Sequence, residues 1–481
     1  MALDLVIRGG TVATAEKVFR ADVGIRGEQV AEIGAGLSAP RIIDATGKLV
    51  LPGGIDSHCH IEQLSSMGVM TADDFYSATV SAAHGGTTTV IPFCAQHRAD
   101  DLRAVLRDYH ERAKAKAVID YGFHLIIANP DEPTLTEHLP EAIRSGVRSF
   151  KIFMTYERTR LHDEQILDVM AVARKHGALV MVHAENHGMI SWLAGRMVKQ
   201  GNTLPRYHAI CHTRGAEHEA IERVVKLAEL VDCPILIVHV STPDGVEAIR
   251  RARARGLKVF GETCPQYLFL TAKDIDIGIQ GALFCCSPPP RDEAAQEACW
   301  EGLKDGSLHV YSSDHAPYGM QGKLPKGEKT TFKEMANGVP GLELRLPLLF
   351  TYGVGTKRIT LEEFVDLTAA RHAQTYGLYP RKGTIAVGAD ADIAIWDPEK
   401  SVTVRETHDG TGYTPYKGRV LKGWPVTVLS RGEVIVDEGK CSAGRGRGRF
   451  LAREPSDALR PLGRDVAEMA QLKAWKTPLR L

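Results

Sequence analysis

Apolar and polar positions follow two different rhythms along this chain of 481 residues. The first fifty residues and the stretch 383–436 consist of short apolar runs separated by glycine turns, a pattern typical of short strands. Between these two regions, continuous apolar runs alternate with longer charged segments of helical periodicity. There are eight such runs, at residues 51–58, 87–94, 120–128, 148–154, 178–184, 234–241, 257–263 and 308–313.

A continuous apolar run suits a strand that is buried on both faces, as in a parallel sheet. The charged segments between the runs, such as residues 219–230, suit helices that cover such a sheet. Eight strand–helix units predict an α/β fold, specifically a (β/α)8 TIM barrel. A doubly wound open sheet is the alternative, but no glycine-rich phosphate loop follows the first run.

Composition narrows the class of protein. Lysine plus arginine and aspartate plus glutamate both number 59, so we expect no nucleic-acid partner. We expect no membrane association, because no segment reaches about 18 uninterrupted apolar residues, and the N-terminus does not resemble a signal peptide. The nine cysteines are scattered and contain no CxxC pair, which indicates a reduced, cytoplasmic protein.

Residues able to bind metal recur at the ends of the predicted strands. His58 and His60 are separated by one residue, and on a strand such residues point to the same face. In a barrel the carboxyl ends of the strands surround one opening. We therefore predict that six side chains converge there: His58, His60, Lys151, His183, His239 and Asp314.

Lys151 is unusual because lysine is rarely buried within an apolar strand. It could form a Schiff base, or carbon dioxide could carboxylate it to a carbamate that bridges two metal ions. In the second case, one ion would take His58, His60 and Asp314, and the other would take His183 and His239. A hydroxide held between the two ions would be a strong nucleophile near neutral pH.

Several short motifs, in this order along the chain, carry a resemblance to a known family. They are residues 149–156, 182–186, 237–241, 261–267, 286–291, 312–317 and 337–341, together with the paired histidines at 58 and 60. With these motifs the sequence resembles the dihydropyrimidinase and hydantoinase family of the amidohydrolase superfamily. The resemblance extends from about residue 3 to about residue 450.

The resemblance implies an enzyme that hydrolyses a small cyclic amide, a hydantoin or dihydropyrimidine ring, to an N-carbamoyl amino acid. It implies two divalent metal ions, usually zinc, with carbon dioxide needed to carboxylate Lys151. Asp314 would carry the proton from the attacking hydroxide to the leaving nitrogen. Tyr156 would donate its hydroxyl to the oxyanion, and backbone groups of Ser287 and Asn337 would hold the ring.

The resemblance also implies a β-sandwich built from both termini and a homotetramer. We predict that residues 1–52 and 381–445 form the sandwich and that residues 53–380 form the catalytic barrel. Residues 446–481 would be a C-terminal tail that packs on the body of the protein or on a neighbouring subunit. Its apolar residues have no core of their own to fill.

Loops that follow the predicted strands depart from the usual pattern of the family, and two of them contain the predicted specificity residues. One contains Gln63 and Leu64, and the other contains Arg158 and Arg160 just after Tyr156. We expect these loops to select the side group of the ring, and the arginines favour a polar or acidic one. The alternatives are hydrolysis of another cyclic imide, lactam or dihydroorotate-like ring, and a non-catalytic scaffold. The complete set of six metal-binding positions argues against the scaffold.

Overall fold

The structure is a computed structural model that describes residues 2–477. Met1 and residues 478–481, at the ends of the predicted sandwich segment and of the predicted tail, lie outside the described residues. Among residues 2–477, no helix combines the length and the apolar character needed to cross a membrane.

The N-terminal residues form five strands of a mixed sheet that continues with the C-terminal strands. The five are β1 (Leu5–Ala13), β2 (Val18–Arg26), β3 (Gln29–Gly34), β4 (Arg41–Asp44) and β5 (Leu49–Pro52). Strands β1, β2 and β3 pair antiparallel, whereas β4 and β5 both run parallel to β1. Side chains such as Ile7, Val23 and Val50 are buried in a separate apolar core.

A second, parallel sheet forms the barrel. Its strands are β6 (Gly54–Cys59), β7 (Thr87–Ala95), β8 (Asp120–Tyr121), β9 (His124–Ile126), β10 (Ser149–Phe153), β11 (Leu179–His183), β12 (Ile235–Ile237), β13 (Val259–Thr263) and β14 (Val310–Tyr311). Neighbours in the sheet follow chain order from β6 to β14, except that β8 pairs only with β7. The two edges meet where the His60 amide donates to the His315 carbonyl at 2.7 Å, and a parallel bridge joins Cys59 to His315. The predicted (β/α)8 barrel is thus confirmed.

Helices cover the outside of the barrel and fill the connections. They are α1 (Phe75–His84), α2 (Leu102–Lys116), α3 (Leu139–Arg144), α4 (Asp163–His176), α5 (His187–Lys199), α6 (Arg206–Cys211), α7 (Arg214–Val231), α8 (Pro243–Ala254), α9 (Pro265–Phe269), α10 (Ala272–Ile275), α11 (Glu293–Asp305), α12 (Met320–Lys323), α13 (Arg345–Leu349), α14 (Leu361–Val365), α15 (Arg371–Thr375) and α16 (Ala467–Ala474). Three π-helical turns lie at Thr134–His138, Phe350–Val354 and Asp366–Ala370, and three 3-10 turns at Gly278–Phe284, Gly327–Lys329 and Asp457–Leu459. Local signals set several of these boundaries. The Asp74 side chain caps α1, and Gly177, with a φ of 73°, ends α4.

The C-terminal strands complete the first sheet. They are β15 (Ile393–Thr403), β16 (Val420–Ser430), β17 (Glu433–Asp437) and β18 (Lys440–Cys441), and β15 pairs antiparallel with β5. Both ends of the chain therefore contribute to one sheet, which confirms the predicted sandwich domain beside the barrel. The residue limits of the predicted domains stay predictions.

The first predicted barrel strand, residues 51–58, is wrong at its start. Leu51 and Pro52 belong to β5 of the sandwich sheet, and the barrel begins at Gly54. The chain passes between the sheets at Gly53, where a Cβ atom would lie 2.1 Å from Thr88 Oγ1. An apolar run that feeds two sheets in succession cannot be divided by hydrophobicity alone.

The tail after residue 446 packs against the amino ends of the barrel strands. The Leu451 amide donates to the Tyr121 carbonyl at 2.7 Å, and Leu451 joins the apolar cluster inside the barrel. Arg453 is buried and donates to Ser149 Oγ at 2.7 Å and to the Gly146 carbonyl at 3.3 Å. Farther along, Trp475 is 67% exposed. The first part of the tail therefore closes the end of the barrel opposite the predicted site.

Replacing Arg453 by alanine should destabilise the protein by about 2–4 kcal/mol, because several buried hydrogen bonds and the packing of the side chain are lost together. Arg460→Ala is a matched control in the same tail, since Arg460 is exposed and pairs only with Asp457. The midpoint of thermal denaturation measures both. Equal midpoints for the two variants would show that the tail does not stabilise the barrel through Arg453.

Candidate active site

The six predicted metal-binding side chains line one cavity of about 690 Å³ at the carboxyl ends of the barrel strands. His58 lies in β6 and His60 directly after it, while Lys151 lies in β10 and His183 ends β11. His239 and Asp314 follow β12 and β14 by two and three residues. The parallel strands thus deliver side chains from five places in the sequence to one space.

The first half of the site consists of His58, His60 and Asp314. His58 Nε2 lies 3.1 Å and His60 Nε2 lies 3.5 Å from Asp314 Oδ1. One ligand atom from each residue can be chosen so that the three lie within 4.8 Å of one another. Two imidazole nitrogens and a carboxylate at this spacing are a donor set suited to zinc.

Two further side chains fix the imidazoles of this half. His58 Nδ1 lies 2.5 Å from Glu262 Oε1, and His60 Nδ1 lies 2.9 Å from Gln63 Oε1. Both contacts leave Nε2 of each ring directed at Asp314. Burial would lower the pKa of His58, but the Glu262 carboxylate raises it above its usual value. Burial lowers the pKa of His60.

The second half consists of His183 and His239, whose ring centroids are 4.5 Å apart. His183 Nε2 donates to Glu185 Oε2 at 2.7 Å, which leaves the lone pair on Nδ1 free. Within residues 2–477, His239 Nδ1 is buried without a hydrogen-bond partner. Burial lowers the pKa of both histidines, so both imidazoles are neutral and able to bind a metal.

Lys151 adjoins the first half of the site and shares the cavity with the second. It is buried, its Nζ is 3.5 Å from His58 Nε2, and it stands over the Phe93 ring at 5.1 Å. Burial lowers the pKa of Lys151 to about 8. About a tenth of the amine is therefore neutral at pH 7, far more than for an exposed lysine, and a neutral amine is the form that reacts with carbon dioxide.

Asp314 is held as a carboxylate. Burial would raise its pKa, but the charge of His58 and hydrogen bonds from His58 and His60 keep that pKa well below its usual range. Gln266 Nε2 also donates to Asp314 Oδ2, at 3.4 Å. An ionised carboxylate here can accept a proton during a reaction.

Three site residues occupy left-handed backbone conformations that are unfavourable for side chains other than glycine. The φ angles are 68° at Tyr156, 43° at His239 and 48° at Asp314. Such conformations persist only where the surrounding structure imposes them, and they cluster at active sites. At the strand ends they turn these side chains into the cavity.

The predicted substrate-binding residues line the same cavity. The Tyr156 ring lies 5.1 Å from that of His183, and both Tyr156 and Ser287 line the cavity. Burial raises the pKa of Tyr156 well above its usual value, so its hydroxyl stays protonated and can donate. The Gly338 amide donates to the Cys285 carbonyl at 3.0 Å, which ties the Ser287 segment to the Asn337 segment.

The four residues predicted to select the side group of the ring differ in position. Leu64 is 40% exposed and, like Arg158, lines the cavity. Arg158 donates to the Ser66 carbonyl at 3.0 Å. Gln63 also reaches the cavity but holds the His60 ring. Arg160 lies 3.6 Å from Glu157 and is absent from the described residues that line the cavity.

Sequence reasoning assigned no role to Glu185 and Glu262, although both lie within the quoted motifs. Each is completely buried and hydrogen-bonded to a histidine of the site. Their position in the sequence could have indicated a role, because an acidic residue in or next to a buried strand needs a buried partner. Their partners could not be identified without the fold, since Glu262 and His58 are 204 positions apart.

Comparison with known proteins agrees with this geometry. The amidohydrolase family model matches residues 49–435. A D-hydantoinase from Rhizobium radiobacter is 41% identical over 94% of this chain and 99% of its own length. A second, from Geobacillus stearothermophilus, is 41% identical over 97% of this chain and 99% of its own length. This chain belongs to the dihydropyrimidinase and hydantoinase family of the amidohydrolases.

Solved structures of the family have the same architecture. The crystal structure of a dihydropyrimidinase from Brevibacillus agri superposes with a TM-score of 0.91 at 40% sequence identity, covering 94% of this chain and 99% of that chain. The resemblance described from the sequence motifs is confirmed. Like other members of the family, the protein is an enzyme, a cyclic amidohydrolase.

The residues present fit the binuclear metal centre that the family implies. Imidazole nitrogens, among them the unpartnered Nδ1 of His239, and the ionised Asp314 would supply the ligands. A carbamate on Lys151, which shares the cavity with the four histidines and Asp314, would be the ligand common to both ions. Without that modification, the amine offers neither a bridge nor a negative charge.

Lys151→Ala should lose bound metal and activity together, because the two halves of the site would no longer share a ligand. Metal content per chain after gel filtration measures the first effect. Lys323→Ala is a matched control for metal content alone, since Lys323 is also buried but donates to the Cys285 carbonyl and not to a proposed metal ligand. Full metal content in Lys151→Ala would exclude a bridging role for this residue.

Proposed function

We propose that this protein is a binuclear metal-dependent hydrolase that opens a hydantoin or dihydropyrimidine ring to an N-carbamoyl amino acid. The observation that carries the proposal is the convergence of four histidines, one lysine and one aspartate in a single cavity. When bound, a pair of divalent ions lowers the pKa of water and polarises a carbonyl oxygen, which together make amide hydrolysis feasible near neutral pH.

The side chains of this chain divide the remaining work. Asp314 accepts the proton that leaves the attacking water and transfers it to the ring nitrogen as the carbon–nitrogen bond breaks. The oxygen from water stays on the carbonyl carbon, which becomes a carboxylate. Tyr156 donates its hydroxyl to the negative oxygen that develops during attack, and such a donor contributes about 3 kcal/mol.

Backbone groups of Ser287 and Asn337 hold the ring in this proposal. The hydrogen bond between Gly338 and Cys285 fixes the distance between their two segments. Lys323 donates to the same Cys285 carbonyl at 2.9 Å, which further stabilises the connection between the two segments. Two segments at a fixed separation suit a planar ring, because the ring amide and its neighbouring carbonyl must be hydrogen-bonded at the same time.

A direct test is hydrolysis by zinc-loaded protein of a panel of hydantoins, dihydropyrimidines, cyclic imides and lactams, followed by loss of ultraviolet amide absorbance. The proposal expects the highest kcat/KM on a hydantoin or dihydropyrimidine, with an N-carbamoyl amino acid as product. A preference for imides, lactams or a dihydroorotate-like ring would favour the alternative substrates. The similarity of this chain to D-hydantoinases and to a dihydropyrimidinase supports a hydantoin or dihydropyrimidine as the preferred ring.

Asp314→Asn should lower kcat by about 10²–10⁴-fold, the usual contribution of a positioned proton-transfer group. The amide keeps the size of the side chain and one oxygen ligand, so the fold should be unchanged and most of the metal retained. Steady-state kinetics at matched metal content measure the effect. Turnover close to that of the wild type would remove Asp314 from the proton transfer.

We also propose that Arg158 favours rings with a polar or acidic side group, because its guanidinium lines the cavity and pairs well with a carboxylate. Arg158→Ala should lower kcat/KM for a carboxymethyl-substituted hydantoin relative to a phenyl-substituted one. Arg160→Ala, on the same loop but paired with Glu157, is the matched control. An unchanged ratio in both variants would leave the arginines with no part in specificity.

Two further expectations stay predictions. They are the homotetramer and the cytoplasmic location. In the tail, Leu451 and Leu459 are buried against the barrel, whereas Trp475 remains exposed in this single chain.

A further inference from the structure

A network of buried polar side chains lies behind the His183–His239 half of the site. Its members are Glu185, His212, Glu217, Ser241 and Arg291, and all are at most 8% exposed. They come from the ends of β11 and β12, from the residue after α6, from α7 and from the segment before α11. No step in the proposed reaction uses them.

One branch of the network holds His183. Glu185 accepts from His183 Nε2 with one oxygen, at 2.7 Å, and from His212 Nδ1 with the other, at 2.8 Å. A carboxylate clamped between two imidazoles cannot rotate without breaking one of these bonds. Consequently, Nδ1 of His183 is the nitrogen left to bind a metal ion, and the orientation of the ring is fixed.

The other branch holds the segment that carries His239. The Ser241 amide donates to Glu217 Oε1 at 2.9 Å, and the Ser241 hydroxyl donates to Glu217 Oε2. His239 itself has a left-handed backbone, with a φ of 43°. Because that conformation is unfavourable for histidine, an external restraint two residues away is needed to maintain it.

Arg291 joins the two branches. Its guanidinium donates to Ser241 Oγ and to Glu217 Oε2, each at 3.1 Å, and to the His212 carbonyl. The positive charge of Arg291 thus lies between the Glu217 carboxylate and His212, the residue that donates to Glu185. Breaking this arrangement would leave charged groups buried without partners, which makes it rigid.

We propose that Glu185, His212, Arg291, Glu217 and Ser241 form a positioning unit that sets the separation and orientation of His183 and His239 for one divalent ion. In the other half of the centre Gln63 supports His60, whereas Glu262 Oε1 lies 2.5 Å from His58 Nδ1 and also accepts from the His239 amide at 3.3 Å. The five-residue unit therefore serves one ion and Gln63 the other, while Glu262 contacts proposed ligands of both. The inference rests on the two-ion site of the proposed function.

The test is the affinity of each of the two zinc ions, measured by competition with a chelator and by metal content per chain. Glu185→Ala should weaken one ion by about 10–100-fold, the usual effect of removing an outer partner of a metal-binding histidine. The other ion should stay within about threefold of the wild type. Glu185→Gln keeps one acceptor for His183 and should lie between Glu185→Ala and the wild type.

Three matched variants separate this role from a general effect on the fold. Ser241→Ala removes only the hydroxyl from the second branch and should weaken the same ion, which decides the matter if Glu185→Ala does not fold. Gln63→Ala should weaken the opposite ion first, because Gln63 holds the His60 ring. Glu399→Ala, an exposed change of the same charge in the sandwich, should alter neither affinity.

The proposal is overturned if Glu185→Ala and Ser241→Ala hold both ions as tightly as the wild type. It is also overturned if folded variants lose both ions in parallel, since the network would then support the barrel as a whole. Fewer than two ions in the wild type would contradict the proposed function itself. Visible spectra of cobalt-loaded variants give a second readout, because only the environment of the affected ion should change.

Discussion

Closure of the parallel barrel is the constraint on which the rest of this structure depends. The hydrogen bond between the His60 amide and the His315 carbonyl joins the first strand to the segment after the last one. Only when this seam is formed can His58 and His60 face Asp314, which lies more than 250 positions later in the chain. The sandwich sheet and the tail both adjoin the closed barrel. Strand β5 leads directly into the first barrel strand, and Leu451 packs into the end of the barrel opposite the site.

The closed barrel creates an electrostatic problem that explains much of the site. Asp314, Glu185, Glu262 and Lys151 are buried in a region of low dielectric, where an unpaired charge is costly. Each carboxylate has one or more histidine partners, but the hydrogen-bond partner of Lys151 is His58, itself a proposed metal ligand. Carboxylation would remove this unfavourable arrangement, since it replaces the positive charge of Lys151 by a negatively charged carbamate at the place where two divalent metal ions would bind.

The fold and the convergence of the six candidate ligands in one cavity could be predicted from sequence because both leave local signals. Apolar runs mark the barrel strands, and the histidines fall at their ends. The start of the first barrel strand was wrong because Leu51 and Ile55 are equally apolar although they serve different sheets. The supporting residues could not be predicted, because contacts such as Arg291 with Glu217 join positions that only the folded chain brings together. The role of Gln63 could not be predicted for a similar reason. This one loop residue both lines the cavity and holds the ring of His60, a proposed metal ligand.

The central claim is that carboxylated Lys151 joins two metal ions in one site. X-ray diffraction from crystals of the zinc-loaded protein, recorded on both sides of the zinc absorption edge, tests it most directly. The account predicts two anomalous peaks, one beside His58, His60 and Asp314 and one beside His183 and His239. It also predicts continuous density from Lys151 Nζ that reaches both peaks. A single peak, or two peaks beside an unmodified lysine, would contradict it.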